Sequence, residues 1–325
     1  MALFISEQDI LKLPLSIEAA IPVMEETFRL SALGQVENGP RTRMPFRNGF
    51  MQFGPAALHD QRMAGFKLWA NFGRGTGVHK SGSPGYDFLY SMETGELLSV
   101  MHSYLIGKFR TSAVTAVAAK YLSPPGASRL GLYSSGRIAE GQLEAVCRVR
   151  PIKQVRVYSP TQKNREAFCE RMSARLRIEV LPASTPESVP QDADIIVTAS
   201  TAEQPIFFGD WLKRPCLVVA AGANHWYKRE IDGKVFERSQ LVVVDLKEHA
   251  KLESGNLLWA VAHGLINWDR VEELGQVITG RVPVPDFSKA TILFGSHGLN
   301  TTDVAIAART YELAKQHGIG SHIDL

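Results

Sequence analysis

The 325 residues, 45% hydrophobic and 21% charged, have the make-up of a soluble globular protein long enough for two domains that each bury a core. A net charge of +3 with no basic block interleaved with aromatics argues against nucleic acid, and no apolar run approaches the roughly 20 residues that span a bilayer. Small molecules are therefore the expected partners, with neither nucleic acid nor membrane.

Near the N-terminus there is no basic segment followed by a long apolar core, so no secretory signal is read there. Ser6 and Ser16 look like helix starts, and the second leads an amphipathic segment with Ile17, Ile21, Met24 and Phe28 on one face. Arg41 and Arg43 follow in a turn-rich stretch from Gly39 to Phe46 that runs toward an edge strand. They are either solvated or, if aimed into a pocket, a carboxylate clamp.

Strands are expected at Met51 to Gly54, Met63 to Phe72, Tyr86 to Tyr90 and Leu97 to Val100, with a hairpin turn over Met92 to Glu96. Lys67 is a single lysine in a strongly apolar strand. It either lies on a wet face or is partly desolvated, with its pKa drawn down toward the range useful for proton transfer. The glycine-rich run Gly73 to Gly77, continuing through Gly82 and Gly85, lacks the Gly-Lys-Ser/Thr ending of a P-loop and reads as a mobile loop near the site. An alanine-rich helix opens at Ile106 and stops at Pro124 and Pro125. Arg110 falls in its expected first turn, where a cation opposes the helix dipole, and this points to a ligand such as a substrate carboxylate.

From Ser128 to Thr161 the pattern is strand (Leu130, Leu132), small-residue turn (Ser134, Ser135, Gly136), helix (Leu143, Val146, Val149) and strand (Val155 to Tyr158). That is a βαβ dinucleotide-binding signature, in which small residues let backbone N–H groups approach a pyrophosphate seated on the helix N-terminus. Ser134 stands at the first glycine of G-x-G-x-x-G/A, while Gly136 and Ala139 fill the second and third positions. The second strand ends in Tyr158, Ser159, Pro160 and Thr161, with Lys163 and Arg165 beyond and no acid for the ribose hydroxyls. Hydroxyls and cations suit a 2′-phosphate, so NADP(H) is favoured over NAD(H). The alternative is that Lys163 and Arg165 are the solvated start of the next helix.

Further apolar strands at Ile178 to Leu181, Ala193 to Ser200, Cys216 to Ala221 and Leu241 to Asp245 alternate with helical segments, as a doubly wound parallel sheet requires. The turns at Thr198 to Thr201 and Gly222 to His225 fall at carboxyl ends of strands, where open α/β sheets bind ligands. The cofactor-binding set is thus Thr111, Ser134, Ser135, Gly136, Arg137, Ile138, Ser159, Thr161, Arg165, Thr198, Ala199, Ser200, Gly222 and Ala223. The expected fold class is α/β. A Rossmann domain covers 114–301, and an N-terminal α/β domain covers 1–113, completed by a C-terminal helix in 302–325. Trp69, Phe72, Tyr86 and Trp226 are candidates to shape an apolar pocket, although aromatic residues in apolar segments more often serve the core. Cys147, Cys169 and Cys216, odd in number and without metal-ligand spacing, read as buried thiols in the reducing cytoplasm.

Taken together, Pro40-Arg41-Thr42 with Pro45, Gly65-Phe66-Lys67, Thr94-Gly95-Glu96, Arg110-Thr111-Ser112-Ala113, the Leu130 to Ala139 turn, Ala193 to Thr198, Gly222-Ala223-Asn224 with Arg229-Glu230, Val244-Asp245, and Phe294 to Gly298 with Asp303 give the chain a pattern that resembles the ornithine cyclodeaminase/mu-crystallin family. The resemblance implies a homodimer joined through the N-terminal domain, and a Rossmann domain for NAD(P). It also implies that Lys67 lies beside the nicotinamide and that Arg41 and Arg110 hold a substrate α-carboxylate. Asn224 stands where the family's cyclodeaminases carry a catalytic aspartate, and an amide orients by hydrogen bonds but takes no proton. The function this favours is NAD(P)H-dependent reduction of an α-imino acid, or amino acid oxidation in reverse. Lys67, Arg110 and Asn224 would be catalytic, and the same three with Arg41 would bind substrate. The rival readings are an ornithine cyclodeaminase and a non-catalytic mu-crystallin-like binding protein.

Overall fold

Ser6 and Ser16 begin the first two helices because their hydroxyls accept hydrogen bonds from backbone N–H groups three residues on, Asp9 N at 3.2 Å and Ala19 N at 3.1 Å. The computed structural model describes residues 1–47, 49–72 and 85–324. The chain divides into two units, one of Met1–Arg110 and Leu299–Leu325 and the other of Thr111–Gly298. The glycine-rich run from Gly73 to Gly82 lies outside the described residues, as does the side chain of Phe72. No helix among the described residues is long and apolar enough to cross a membrane.

In chain order the first unit contains β1 (Ala2–Ile5), α1 (Glu7–Ile10), α2 (Ile17–Ala32), β2 (Val36–Asn38), β3 (Thr42–Phe46), β4 (Gly49–Leu58), β5 (Met63–Phe72), β6 (Gly85–Ser91), β7 (Leu97–His102) and the start of α3 (Ser103–Leu122). The last helix, Asn300–His317, and the strand Ser321–Ile323 complete it. The sheet runs C-terminal strand, β1, β7, β6, β5, β4, β2, with β3 also paired to β4. β5 is therefore flanked on both sides, and alternation along it places Lys67 and Phe66 on opposite faces. Phe66 stacks on Phe88 at 4.8 Å between centroids.

Lys67 faces the C-terminal helix with its side chain only 18% exposed, so the wet-face alternative does not hold. That helix approaches β4 closely at Gly54, and Lys67 is given room by a second glycine, Gly107. A Cβ at Gly54, which pairs with Lys67, would lie 2.3 Å from Asn300 Oδ1, and one at Gly107 would lie 3.0 Å from Lys67 Nζ. The helix start is then tied to the end of β2, since Asn300 Nδ2 donates to the Gly39 carbonyl at 2.7 Å and Thr301 N–H donates to Asn38 Oδ1 at 3.1 Å.

One sequence expectation fails here. α3 begins at Ser103, directly after β7 and without an intervening turn, so Arg110 sits in the helix interior rather than its first turn. The dipole argument does not apply to it; its position is explained by an acidic partner described below.

The second unit is a doubly wound parallel sheet. β8 (Arg129–Tyr133), α4 (Arg137–Val149), β9 (Gln154–Tyr158), α5 (Gln162–Leu176), β10 (Glu179–Pro182), β11 (Ile195–Thr198), β12 (Leu217–Ala220), α6 (Gly233–Arg238), β13 (Ser239–Val244), α7 (Lys247–Glu253), α8 (Gly255–Ala262), β14 (Val271–Glu273), α9 (Leu274–Ile278) and β15 (Thr291–Gly295) follow in turn. The strand order is β10, β9, β8, β11, β12, β15, β13, β14. β8, β11, β12 and β15 are apolar and buried on both faces, which is the pattern of a parallel sheet covered by helices. The order reverses between β8 and β11, and in such sheets that switch point opens a crevice at the strands' carboxyl ends.

Candidate active site

In the first unit three cations converge on one acid. Asp303, in the first turn of the C-terminal helix, accepts hydrogen bonds at Oδ1 from Arg110 Nε at 2.8 Å and Lys67 Nζ at 3.2 Å. Burial would raise the Asp303 pKa, but the charges of Arg110, Lys67 and Arg41 outweigh it and hold the carboxyl below its ordinary range. Across the sheet from Lys67 lies a second acid, Asp87, which is 2% exposed. Its pKa is pushed up to about 8, mainly by burial, with Lys67 and Arg110 pulling down and Asp303 pushing up. Burial thus favours the uncharged form of Asp87, and among the described residues three cations around the ionised Asp303 leave the cluster with a surplus of positive charge.

The second unit carries the features of a dinucleotide site. Ser134, immediately after β8, has φ 147°, a backbone conformation that normally requires glycine. The substitution read in the sequence therefore keeps the glycine geometry. Gly136 is the N-cap of α4 in extended conformation with no side-chain cap, and a Cβ there would meet nothing nearer than Ser134 Oγ at 3.6 Å. A pyrophosphate fits this turn, since backbone donors can approach it without side-chain obstruction. Arg137 and Ile138 occupy the first turn of α4. Ser135 Oγ lies 2.9 Å from Ser159 Oγ, joining the turns after β8 and β9.

Thr161 is the exposed N-cap of α5, whose first turn contains no acid. Lys163 is exposed, but Arg165 is buried at 8%, donates to the Ser159 carbonyl and lies 5.1 Å from the centroid of the Tyr158 ring. It is no solvated helix start; it holds the turn from beneath. Thr111 presents its carbonyl to Gln142 Nε2 at 3.5 Å.

The turns after β11 and β12 are joined by a residue that sequence reasoning assigned no role. Glu230, fully buried, accepts from Thr198 Oγ1 at 2.9 Å, Ser200 N–H at 2.6 Å, Ser200 Oγ at 2.7 Å and Gly222 N–H at 2.7 Å. Burial still pushes its pKa above the ordinary value. The Ala199 N–H donates to the Tyr133 carbonyl at 3.2 Å, closing the switch point, and Ala223 is buried. Asn224 Oδ1 lies 2.9 Å from His225 Nδ1, within hydrogen-bonding reach. Trp226 is 67% exposed, while Tyr86 packs edge-on against His102 at 5.1 Å.

Asp245 and His297, after β13 and β15, were also assigned no role. Asp245 accepts the N–H groups of His297 and Gly298, both at 2.7 Å, and the His297 ring at 3.1 Å. The three thiols are poor nucleophiles, because burial pushes Cys147 and Cys216 up to about 12 and Cys169 up to about 11. Of the residues missed, Asp87 had the same signal as Lys67, a charge inside an apolar strand. Asp303 and Glu230 entered only as members of the family pattern and without a role, since an acid opening a helix or following an arginine is commonplace.

A model of the ornithine cyclodeaminase/mu-crystallin family matches residues 3–318. Alanine dehydrogenase of Archaeoglobus fulgidus is 32% identical over 314 residues, 95% of this chain and 94% of that one. The structure of Thermococcus litoralis Delta(1)-pyrroline-2-carboxylate reductase in complex with NADH and L-proline superposes with a TM-score of 0.93 at 30% identity, over 99% of this chain and all of that one. An archaeal alanine dehydrogenase dimer with bound NAD superposes with a TM-score of 0.93 at 29% identity, over 100% and 99% of the two chains.

Proposed function

Because the chain belongs to the ornithine cyclodeaminase/mu-crystallin family, we propose that it is a nicotinamide-dependent reductase that acts on the C=N bond of an α-imino acid, or in reverse on an amino acid. The observation that carries this reading is the surplus positive charge around Asp303, where Lys67, Arg110 and Arg41 outnumber the ionised acids. Arg41 and Arg110 suit a substrate carboxylate, which a guanidinium can grip through two parallel hydrogen bonds. Lys67 is the general acid for the nitrogen. A reduced nicotinamide, when bound, would supply hydride for the adjoining carbon.

Asn224 orients a polar group by hydrogen bonding. Its amide cannot take the proton that ammonia expulsion from ornithine would deliver, which favours reduction over the cyclodeaminase reaction. The coenzyme is NADP(H) in preference to NAD(H), because the turn after β9 offers Ser159, Thr161 and Lys163 and the first turn of α5 has no acid. The relatives solved with NADH and NAD support a nicotinamide dinucleotide in general. A homodimer is the proposed assembly, as in the archaeal alanine dehydrogenase, and three unpaired thiols suit a reducing cytoplasm.

The test is a reductive screen of cyclic and linear α-imino acids with NADPH and NADH, using the wild type and Lys67→Ala. Wild-type protein should oxidise NADPH with at least one α-imino acid. The variant should lose about 10²- to 10⁴-fold in kcat while its coenzyme affinity stays close to wild type. Wild-type rates in the variant, or no coenzyme oxidation across the panel, would overturn the proposal.

A further inference from the structure

Asp87 has no place in the chemistry described so far, yet it is a carboxyl in the interior of an apolar sheet. It pairs directly with Lys67 on the neighbouring antiparallel strand, and such pairs have Cβ atoms roughly 4.5–5.5 Å apart on one face. Its Oδ1 is buried with no hydrogen-bond partner among the described residues. An unpartnered carboxyl oxygen is costly to bury unless it has something to do.

We propose that Asp87 is a positioning residue acting through Lys67, a proton reserve that restores the lysine's proton in each turnover. This rests on the reductase reading above. As hydride reaches the C=N carbon, Lys67 passes one proton to the nitrogen. The neutral amine then takes the carboxyl proton of Asp87, leaving an ammonium and a carboxylate facing each other across the strands. Water returns a proton to Asp87 after the product amine leaves, so each cycle consumes one hydride and one solvent proton.

The neighbours favour this direction of transfer. Lys67 faces Asp87 from β5, Arg110 from α3, and Asp303 from the C-terminal helix, with Arg41 acting on Asp303 in turn. The β7 residue opposite Asp87 is Met101, buried and uncharged, and His102 beside it packs against Tyr86 and Phe4. Asp303 cannot serve instead, because it is ionised and committed to two cations. Burial holds the Asp87 proton until about pH 8, so the reserve is full under neutral conditions.

Two measurements test this. Infrared difference spectra of the ligand-free protein should show a protonated-carboxyl C=O band that titrates away near pH 8 and is missing in Asp87→Asn. In the reductive direction wild-type kcat should fall above pH 8. Asp87→Asn should lower kcat about tenfold, abolish that limb and leave KM for the imino acid nearly unchanged. An Asp87 already ionised at pH 7, or a variant with the wild-type profile, would overturn the proposal. The infrared arm needs no substrate, and Asp87→Asn serves in it to tell the Asp87 band from that of Glu230. A wild type that reduces no imino acid would instead overturn the reductase reading on which the proposal rests.

Discussion

Ser134 shows how a single side chain can depart from a motif while its backbone obeys it. The φ of 147° belongs to a region that costs a non-glycine residue on the order of 1–3 kcal/mol. Ser134→Gly should therefore raise stability by about 1 kcal/mol in urea unfolding, after allowing for glycine's greater freedom in the unfolded chain. An unchanged or lower midpoint would mean that the Ser134 hydroxyl, which accepts from the Gly136 N–H at 3.3 Å, contributes more than the strain removes. At this scale the legible signal was a residue that broke its surroundings, and it was read at Lys67 but not at Asp87. Lys67 stood out as a charge in an apolar strand, Arg110 was singled out for a first-turn place it does not occupy, and Asp303 entered only within the family pattern, because its reason for being there is a lysine 236 positions away.

Among elements, the strands and helices that hold the sites follow from periodicity and caps, as with the capping box at Ser6 and the βαβ unit from β8 to β9. What periodicity does not contain is register. That Lys67 pairs with Gly54 on one side and Asp87 on the other depends on the whole meander, and only that pairing reveals the two-acid cluster. It also hides why Gly54 is a glycine. A Cβ there meets the Asn300 side chain at 2.3–2.5 Å, so Gly54→Ala should destabilise by about 1–3 kcal/mol through overpacking. Combined with Asn300→Ala, the same change should cost distinctly less, a coupling that a double-mutant cycle in urea would detect. Additive costs would show that the strand, not the helix contact, requires the glycine.

For the molecule as a whole, buried carboxyls set the response to pH. Asp87 and Glu230 have raised pKa values in the folded state, so the folded protein holds protons that the unfolded chain releases above about pH 4. Their contribution to stability declines as pH rises from there, until Asp87 itself ionises near pH 8. Asp303 and Asp245 are shifted the opposite way, Asp245 to about 2, and the stability they add is lost only in acid. Thermal unfolding of the wild type should thus weaken steadily from pH 5 to pH 8. Asp87→Asn should flatten much of that slope and leave the part due to Glu230; an unaltered slope would place the responsible group elsewhere.

The anion that answers Lys67 and Arg110 is supplied by Leu299–Leu325, which follows the whole second unit, Thr111–Gly298, along the chain. While a ribosome is still adding residues at about 5–20 per second, the coenzyme-binding half is already complete, whereas the two earlier cations wait for their counterion. A premature stop after Gly298 would yield a polypeptide able to shape the turns of the parallel sheet yet lacking the carboxylate around which Lys67 and Arg110 gather.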